Sequence, residues 1–170
     1  THNREYFDSF LSYFNIDKTE IENLILISKG LSLNDCYWIA EKGDKSRFKD
    51  INLYENNFNK DISKLAFNGF GKKHFKTKFY LSPEFTLEGM IRKCYRKQNN
   101  QIVLYKGGTI GYINSGKEPY MEFYASQVAD QLSLPHVSYE LRKYSNSVCS
   151  VCKLFTSKKY GFVPMYRFYM

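Results

Sequence analysis

Lys106 closes the run Ile102-Val103-Leu104-Tyr105-Lys106, and two glycines, Gly107 and Gly108, follow it directly. The run is rich in strand formers, so by the period-two rule Ile102, Leu104 and Lys106 share one face of a strand. Further along, Glu122 sits near the start of a segment with helical periodicity, close to the apolar positions Ala125 and Ala129. A carboxylate on the border of a buried stripe needs a partner, because an unpaired buried charge is costly. Lys106 is the geometrically sensible one. A strand-borne ammonium held by a helix-borne carboxylate is a device for gripping phosphate oxygens.

Other residues with chemical potential form weaker patterns. Cys149-Ser150-Val151-Cys152 is a lone Cys-x-x-Cys, with Cys36 and Cys94 standing apart. Structural zinc asks for a second pair, and in a strand positions 149 and 152 face opposite ways, so no metal site is expected. The cysteines lack the density of a disulfide scaffold, which points to a reduced, cytoplasmic chain. The basic stretches Lys72–Lys78 and Arg92–Lys97, interleaved with Phe75, Phe79, Tyr80 and Tyr95, could follow a nucleic-acid backbone and stack bases. They read first as a solvated hairpin surface. The formal net charge of +8 over 170 residues fits either view.

These residues need elements to position them. Hydrophobic residues make up 43% of the chain, enough for a real core, and the 15 Tyr and 14 Phe raise the prospect of aromatics at an interface. No apolar run reaches the roughly 18–20 residues of a membrane span. Tyr6, Phe7, Phe10, Leu11 and Phe14 predict an amphipathic helix over 4–14. Thr19 and Glu22 read as a capping box opening a second helix that stops at Gly30. Residues 31–40 read as a loop leading into a short aromatic strand, 41–56 as irregular, and 60–67 as a short helix around Ile62, Leu65 and Ala66. Pro83 divides a helical N-terminal subdomain, 1–83, from a sheet-bearing part, 84–170. There, strands are expected at 90–97 and 101–106 around the turn Gln98-Asn99-Asn100. Pro119 opens a helix with Met121, Ala125, Val128 and Leu132 as its buried stripe, ending by Leu134 ahead of Pro135. Strands at 136–143 and 148–155 follow. Strand, strand, helix, strand, strand gives an α+β layer: an antiparallel sheet with one packed helix.

Several motifs in this order resemble the N-terminal part of bacterial HipA-like proteins. They are Leu33-Asn34-Asp35-Cys36-Tyr37-Trp38-Ile39, Asp50-Ile51-Asn52-Leu53-Tyr54 with Asn57-Phe58, and Ser82-Pro83-Glu84-Phe85-Thr86-Leu87-Glu88-Gly89. Leu104-Tyr105-Lys106-Gly107-Gly108, Glu118-Pro119-Tyr120-Met121-Glu122 and Ser150-Val151-Cys152-Lys153-Leu154-Phe155 continue the series. The family consists of serine/threonine kinases of divergent kinase fold, often toxins of toxin–antitoxin systems. The resemblance implies a kinase-like N-lobe over 84–170, with Lys106 as the ATP-phosphate lysine and Glu122 as its helix partner. It implies a hinge over Cys152, Lys153, Leu154 and Phe155 that meets adenine beside Leu104. Gly89 stands where the phosphate-covering loop would start, without a full glycine-rich pattern around it.

Phosphoryl transfer also needs an aspartate as base and Asp/Asn ligands for Mg2+, and beyond Glu140 the sequence contains no Asp or Glu. The expectation is an ATP-binding N-lobe whose catalysis, and whose magnesium, depend on a C-terminal catalytic lobe acting on a protein substrate. Two alternatives stand beside it: a non-catalytic module binding an antitoxin or other partner protein, and a basic nucleic-acid-binding domain.

Overall fold

The computed structural model describes residues 6–17, 19–70, 80–111 and 113–168, with Ile21 described by its backbone alone. Along the chain run the helices α1 (Phe7–Ser12), α2 (Ile21–Ser28), α3 (Phe48–Ile51), α4 (Lys60–Asn68) and α5 (Glu118–Gln131). The strands are β1 (Lys93–Gln98), β2 (Gln101–Lys106), β3 (Glu140–Tyr144) and β4 (Ser147–Lys153). The fold is α+β, with one antiparallel sheet in the order β1-β2-β4-β3.

Turn chemistry fixes the two hairpins. Asn99-Asn100 joins β1 to β2 at φ 47° and 61°, and Ser145-Asn146 joins β3 to β4 at the same two angles. Two successive left-handed residues make the type I′ turn, whose twist matches that of the strands. Asparagine tolerates that region better than most residues. α5 connects the hairpins and packs over β4 and β3, which places β4 beside β2 in the middle of the sheet.

Each face of the sheet is covered. On one, Tyr95, Ile102, Leu104 and Cys152 are buried with Leu31, Leu33, Ile51, Leu53, Phe58 and Leu87. On the other, Cys94, Val103, Tyr105, Cys149 and Val151 lie against Phe67 of α4 and the ring of Tyr144. A third cluster joins Phe7, Phe10 and Leu11 of α1 to Ile62, Leu65, Ala66 and Phe85. Residues on both sides of Pro83 therefore share these cores. α4 is well framed: the Asn59 side chain accepts from the amides of Asp61 and Ile62, and Gly69 ends the helix at φ 74°.

One polar residue belongs to this interior. Glu84 is fully buried, its Oε1 accepting from the Tyr95 amide at 2.8 Å and its Oε2 from the Ser82 hydroxyl. β1 is an edge strand, and the carboxylate gives its outward amide a partner in place of a fifth strand.

Some expectations need correction. The stripe Met121, Ala125, Val128, Leu132 does not face the sheet: Met121, Val128 and Leu132 are 62%, 58% and 62% exposed and Ala125 is exposed too. The inward side carries Pro119, Glu122, Phe123, Ser126 and Ala129, about 100° around the helix. The inward side is the one that makes polar bonds: Glu122 accepts from Lys106 and Ser150 of the sheet, and the Ser126 hydroxyl accepts from the Tyr139 amide. The capping box is not formed, because the Thr19 hydroxyl and amide both donate to Asp17 and the helix starts after Glu20. No strand forms at 37–40, where Trp38 packs on the core and Tyr37 is exposed without a neighbouring strand to pair with. A single helical turn, α3, lies within the stretch expected to be irregular. The first predicted strand begins at Lys93, and the third begins at Glu140 because residues 136–139 run past α5 outside the ladder. The stretch Lys72–Lys78 lies outside the described residues.

Candidate functional site

Lys106 is the last residue of β2, and its Nζ lies 2.7 Å from Oε1 of Glu122. Both side chains are largely enclosed, at 20% and 29% exposure, so water weakens the pair only in part. The other carboxylate oxygen of Glu122 accepts from the hydroxyl of Ser150, which stands opposite Lys106 on β4. Glu122 is thus held from both sides of the β2–β4 ladder. Tyr139 completes the group: its hydroxyl lies 2.9 Å from the Lys106 Nζ, which also sits 4.9 Å from the centre of its ring. Burial works against the Lys106 ammonium, yet its bonds to Glu122 and Tyr139 outweigh that and hold its pKa above the ordinary lysine value.

The approach of α5 to β2 depends on the loop between them. The Gly107 amide donates to the Arg92 carbonyl at 3.0 Å. A Cβ on Gly108 would lie 2.4 Å from the Cα of Gly116, so the backbones pass where a side chain has no room. Thr109 gives both its amide and its hydroxyl to Glu118 in the first turn of α5, which keeps that carboxyl below its usual range against the opposing effect of burial. The double glycine therefore allows the helix to start over the end of β2 and deliver Glu122 to Lys106.

Lys93 stands directly opposite Lys106 on β1, on the same face of the sheet. Its Nζ donates to the Glu88 carbonyl at 2.8 Å, and a Cβ on Gly89 (φ 94°) would lie 2.7 Å from that nitrogen. Two lysines and the Gly89 turn therefore meet at one end of the sheet. Such a place suits an anion with several oxygens.

The other expected site residues lie elsewhere. Leu104 and Cys152 are cross-strand partners buried at 8% and 3%, inside the core shared with Leu31 and Leu33. Burial raises the Cys152 thiol pKa, although Lys106 nearby pulls it down. The Leu154 amide is taken by the Ile102 carbonyl at 2.8 Å, so a base could bond only to other backbone groups of this segment. Lys153 is exposed, Leu154 half-buried, and Phe155 exposed with its ring edge-on to Phe162. A cavity of about 520 Å³ opens beside Lys153–Phe155, lined also by Gln98, His136 and Arg142 but not by Lys106 or Glu122. Lys153 pairs with Val103, so this end of the ladder is about 10 Å from Lys106 along the strand.

The structure thus brings Lys106 and Glu122 together, sets Gly89 at the same end, and leaves 153–155 a few residues away along β4. Sequence reasoning missed Lys93, Ser150 and Tyr139. The first had a signal: Lys93 and Lys106 are each the sixth residue from the Asn99-Asn100 turn, so a two-residue hairpin puts them face to face. Ser150 shares a face with Cys152 by alternation. Tyr139 carried no local signal.

Neither the protein-family models nor the curated proteins nor the solved structures contain a match to this chain. The site stands on its geometry. Among the described residues no group of His, Cys, Asp and Glu gathers to hold a metal, and no helix is long and apolar enough to cross a membrane. What the constellation can do is hold phosphate oxygens with an enclosed ammonium whose position is fixed by a carboxylate.

Proposed function

We propose that this chain is the ATP-binding N-lobe of a HipA-like serine/threonine protein kinase. The observation that carries the reading is the 2.7 Å pair between Lys106 at the end of β2 and Glu122 on α5, set in the order strand, strand, helix, strand, strand. In a kinase that pair fixes the cation on the ATP phosphates. Lys106 binds a phosphate oxygen, Glu122 holds the ammonium in place, and Lys93 beside Gly89 adds a second cation at the same end. The segment Cys152–Phe155 is the hinge candidate for the adenine. Phosphoryl transfer to a protein hydroxyl requires a base and magnesium carboxylates from a catalytic lobe, since residues 141–170 contain no Asp or Glu. A role in a toxin–antitoxin system belongs to the same proposal.

The test is equilibrium binding of a fluorescent ATP analogue. Saturable binding that ATP competes away and that Lys106→Ala removes supports the reading. Equal binding by Lys106→Ala contradicts the site assignment.

A second reading has its own observation. Met121, Tyr124, Val128 and Leu132 on α5, with Phe162, Val163, Met165 and Phe168 near the end of the chain, are all exposed. That much apolar surface fits a module that docks a partner protein. Absence of nucleotide binding, restored when the partner is added, would favour it.

A further inference from the structure

Tyr139 lies on the segment between α5 and β3, half-buried against the core cluster that holds Leu104 and Cys152. Two contacts join it to Lys106: a hydroxyl at 2.9 Å from the Nζ and a ring centre at 4.9 Å from it. A third ties it to α5, since its amide donates to the Ser126 hydroxyl at 3.4 Å. Ser126 is buried and donates in turn to the Phe123 carbonyl at 2.8 Å. Tyr139 is therefore anchored by the helix that carries Glu122, one turn beyond it.

An ammonium has three N–H donors arranged as a tripod. Glu122 takes one and the Tyr139 oxygen a second. Two fixed bonds leave no freedom of rotation about the Cε–Nζ bond, so the direction of the third donor is fixed as well. With Glu122 alone, the ammonium could spin about the single bond and spread its remaining donors over a cone.

We propose that Tyr139 is a positioning residue for Lys106: its hydroxyl, together with Glu122, orients the ammonium and leaves one N–H directed at a ligand oxygen. The identity of that oxygen as phosphate rests on the nucleotide reading above; the restraint on the ammonium does not. The groups facing the Lys106 ammonium are Glu122 from α5, Tyr139 from the connecting segment and Cys152 from β4, with Lys93 opposite it on β1.

The experiment reads Lys106 itself. The full chain is treated with a trace of acetic anhydride across a pH series, and acetylation of the Lys106 peptide is followed by mass spectrometry against the exposed Lys143. Only the free amine reacts. Tyr139→Phe keeps the ring and removes the hydroxyl, so the ammonium loses a bond that favours its charged form. Below the midpoint of the titration, Lys106 of Tyr139→Phe should acetylate about three- to tenfold faster than wild type. Glu122→Gln should accelerate it further, and Lys143 should not change. Ser126→Ala, which frees the Tyr139 amide, should move Lys106 in the same direction and serves should Tyr139→Phe fail to fold. A role for Tyr139 in packing alone would lower the melting temperature without changing the Lys106 profile. An unchanged profile in the folded variants overturns the proposal.

Binding of the fluorescent ATP analogue separates the two readings. A roughly threefold or larger loss of affinity in Tyr139→Phe supports both. A shifted Lys106 profile in a protein that binds no nucleotide supports the positioning role and contradicts the kinase reading. Unaltered Lys106 reactivity in a protein that binds ATP does the reverse.

Discussion

Lys93 and Lys106 face each other directly across the β1–β2 ladder, on the same side of the sheet. Like charges in that position repel and cost a hairpin about 0.2–1 kcal/mol relative to a neutral pair. Glu122 answers the charge of Lys106, while Lys93 points to the Glu88 carbonyl and the Gly89 turn. An anion between them would turn the repulsion into attraction. Lys93→Met should therefore leave the urea midpoint of the ligand-free protein unchanged or higher. It should also weaken ATP about tenfold, and AMP much less, since each phosphate removed takes away charge for the ammonium to meet. Isothermal titration with the two nucleotides checks both halves.

Glu122 and Lys106 form a pair enclosed enough for its loss to matter. Glu122→Ala strands the ammonium and should cost about 1–3 kcal/mol, less than a fully buried pair because both side chains retain some contact with water. The pH dependence has a definite sign. Lys106 has a raised pKa in the folded chain, opposed by burial and driven by Glu122 and Tyr139. Its contribution is therefore complete below the unfolded lysine value of about 10.4 and is lost as pH rises through the higher folded value. Urea unfolding between pH 8 and pH 11 should show an alkaline decline in both proteins, since the buried phenol of Tyr144 and thiols of Cys149 and Cys152 also lose stability there, and a shallower one in Lys106→Met.

Gly108 sets the distance between β2 and α5. Gly108→Ala would put a methyl 2.4 Å from the backbone of Gly116, and neither backbone is a flexible side chain that can swing away. The loop must shift and carry α5 with it. A loss of about 1–3 kcal/mol in stability is expected, together with weaker nucleotide binding out of proportion to the fold loss at saturating stability. Thermal melts and titrations on the same preparation separate the two effects.

The outward rotation of α5 has a mutational signature. Val128→Glu and Leu132→Glu introduce charge on an exposed face and should change stability by no more than about 0.5 kcal/mol. Ser126→Leu, on the buried face, removes the acceptor of the Tyr139 amide and overfills the contact, and should cost about 1–3 kcal/mol. The opposite pattern would restore the apolar stripe as the packed one. Chemical denaturation of the three variants decides.

Much of this was legible where one local rule dominates. Asn99-Asn100 marked the first hairpin, Gln101–Lys106 alternated as strands do, and Ile62, Leu65 and Ala66 marked α4 by their apolar pattern. The pairing of Lys106 with Glu122 was reached by setting Glu122 on the border of a buried stripe through Ala125 and Ala129. Ala125 is exposed, and Glu122 itself lies on the inward side, so the pair forms although the stripe that suggested it was misplaced. The rotation of α5 was lost because Ser126 and Glu122 pack inward through hydrogen bonds, a preference no hydropathy pattern carries. Tyr139 and Ser150 were invisible for a related reason: they meet Lys106 only once α5 has crossed and β4 has been inserted beside β2. The fully buried Glu84 breaks the rule that charged residues stay outside, and its bond to the outward Tyr95 amide at the edge of β1 gives it a place no local pattern announces.

The central claim is that Lys106 grips the phosphates of a nucleotide. The most direct measurement is labelling by an acyl-phosphate derivative of ATP, which transfers its acyl group to a lysine amine lying against the phosphates, followed by mass spectrometry of the modified peptides. The account predicts modification concentrated on Lys106, with Lys93 second, both abolished by excess ATP. Labelling spread over exposed lysines such as Lys143 and Lys153, and indifferent to ATP, would contradict it.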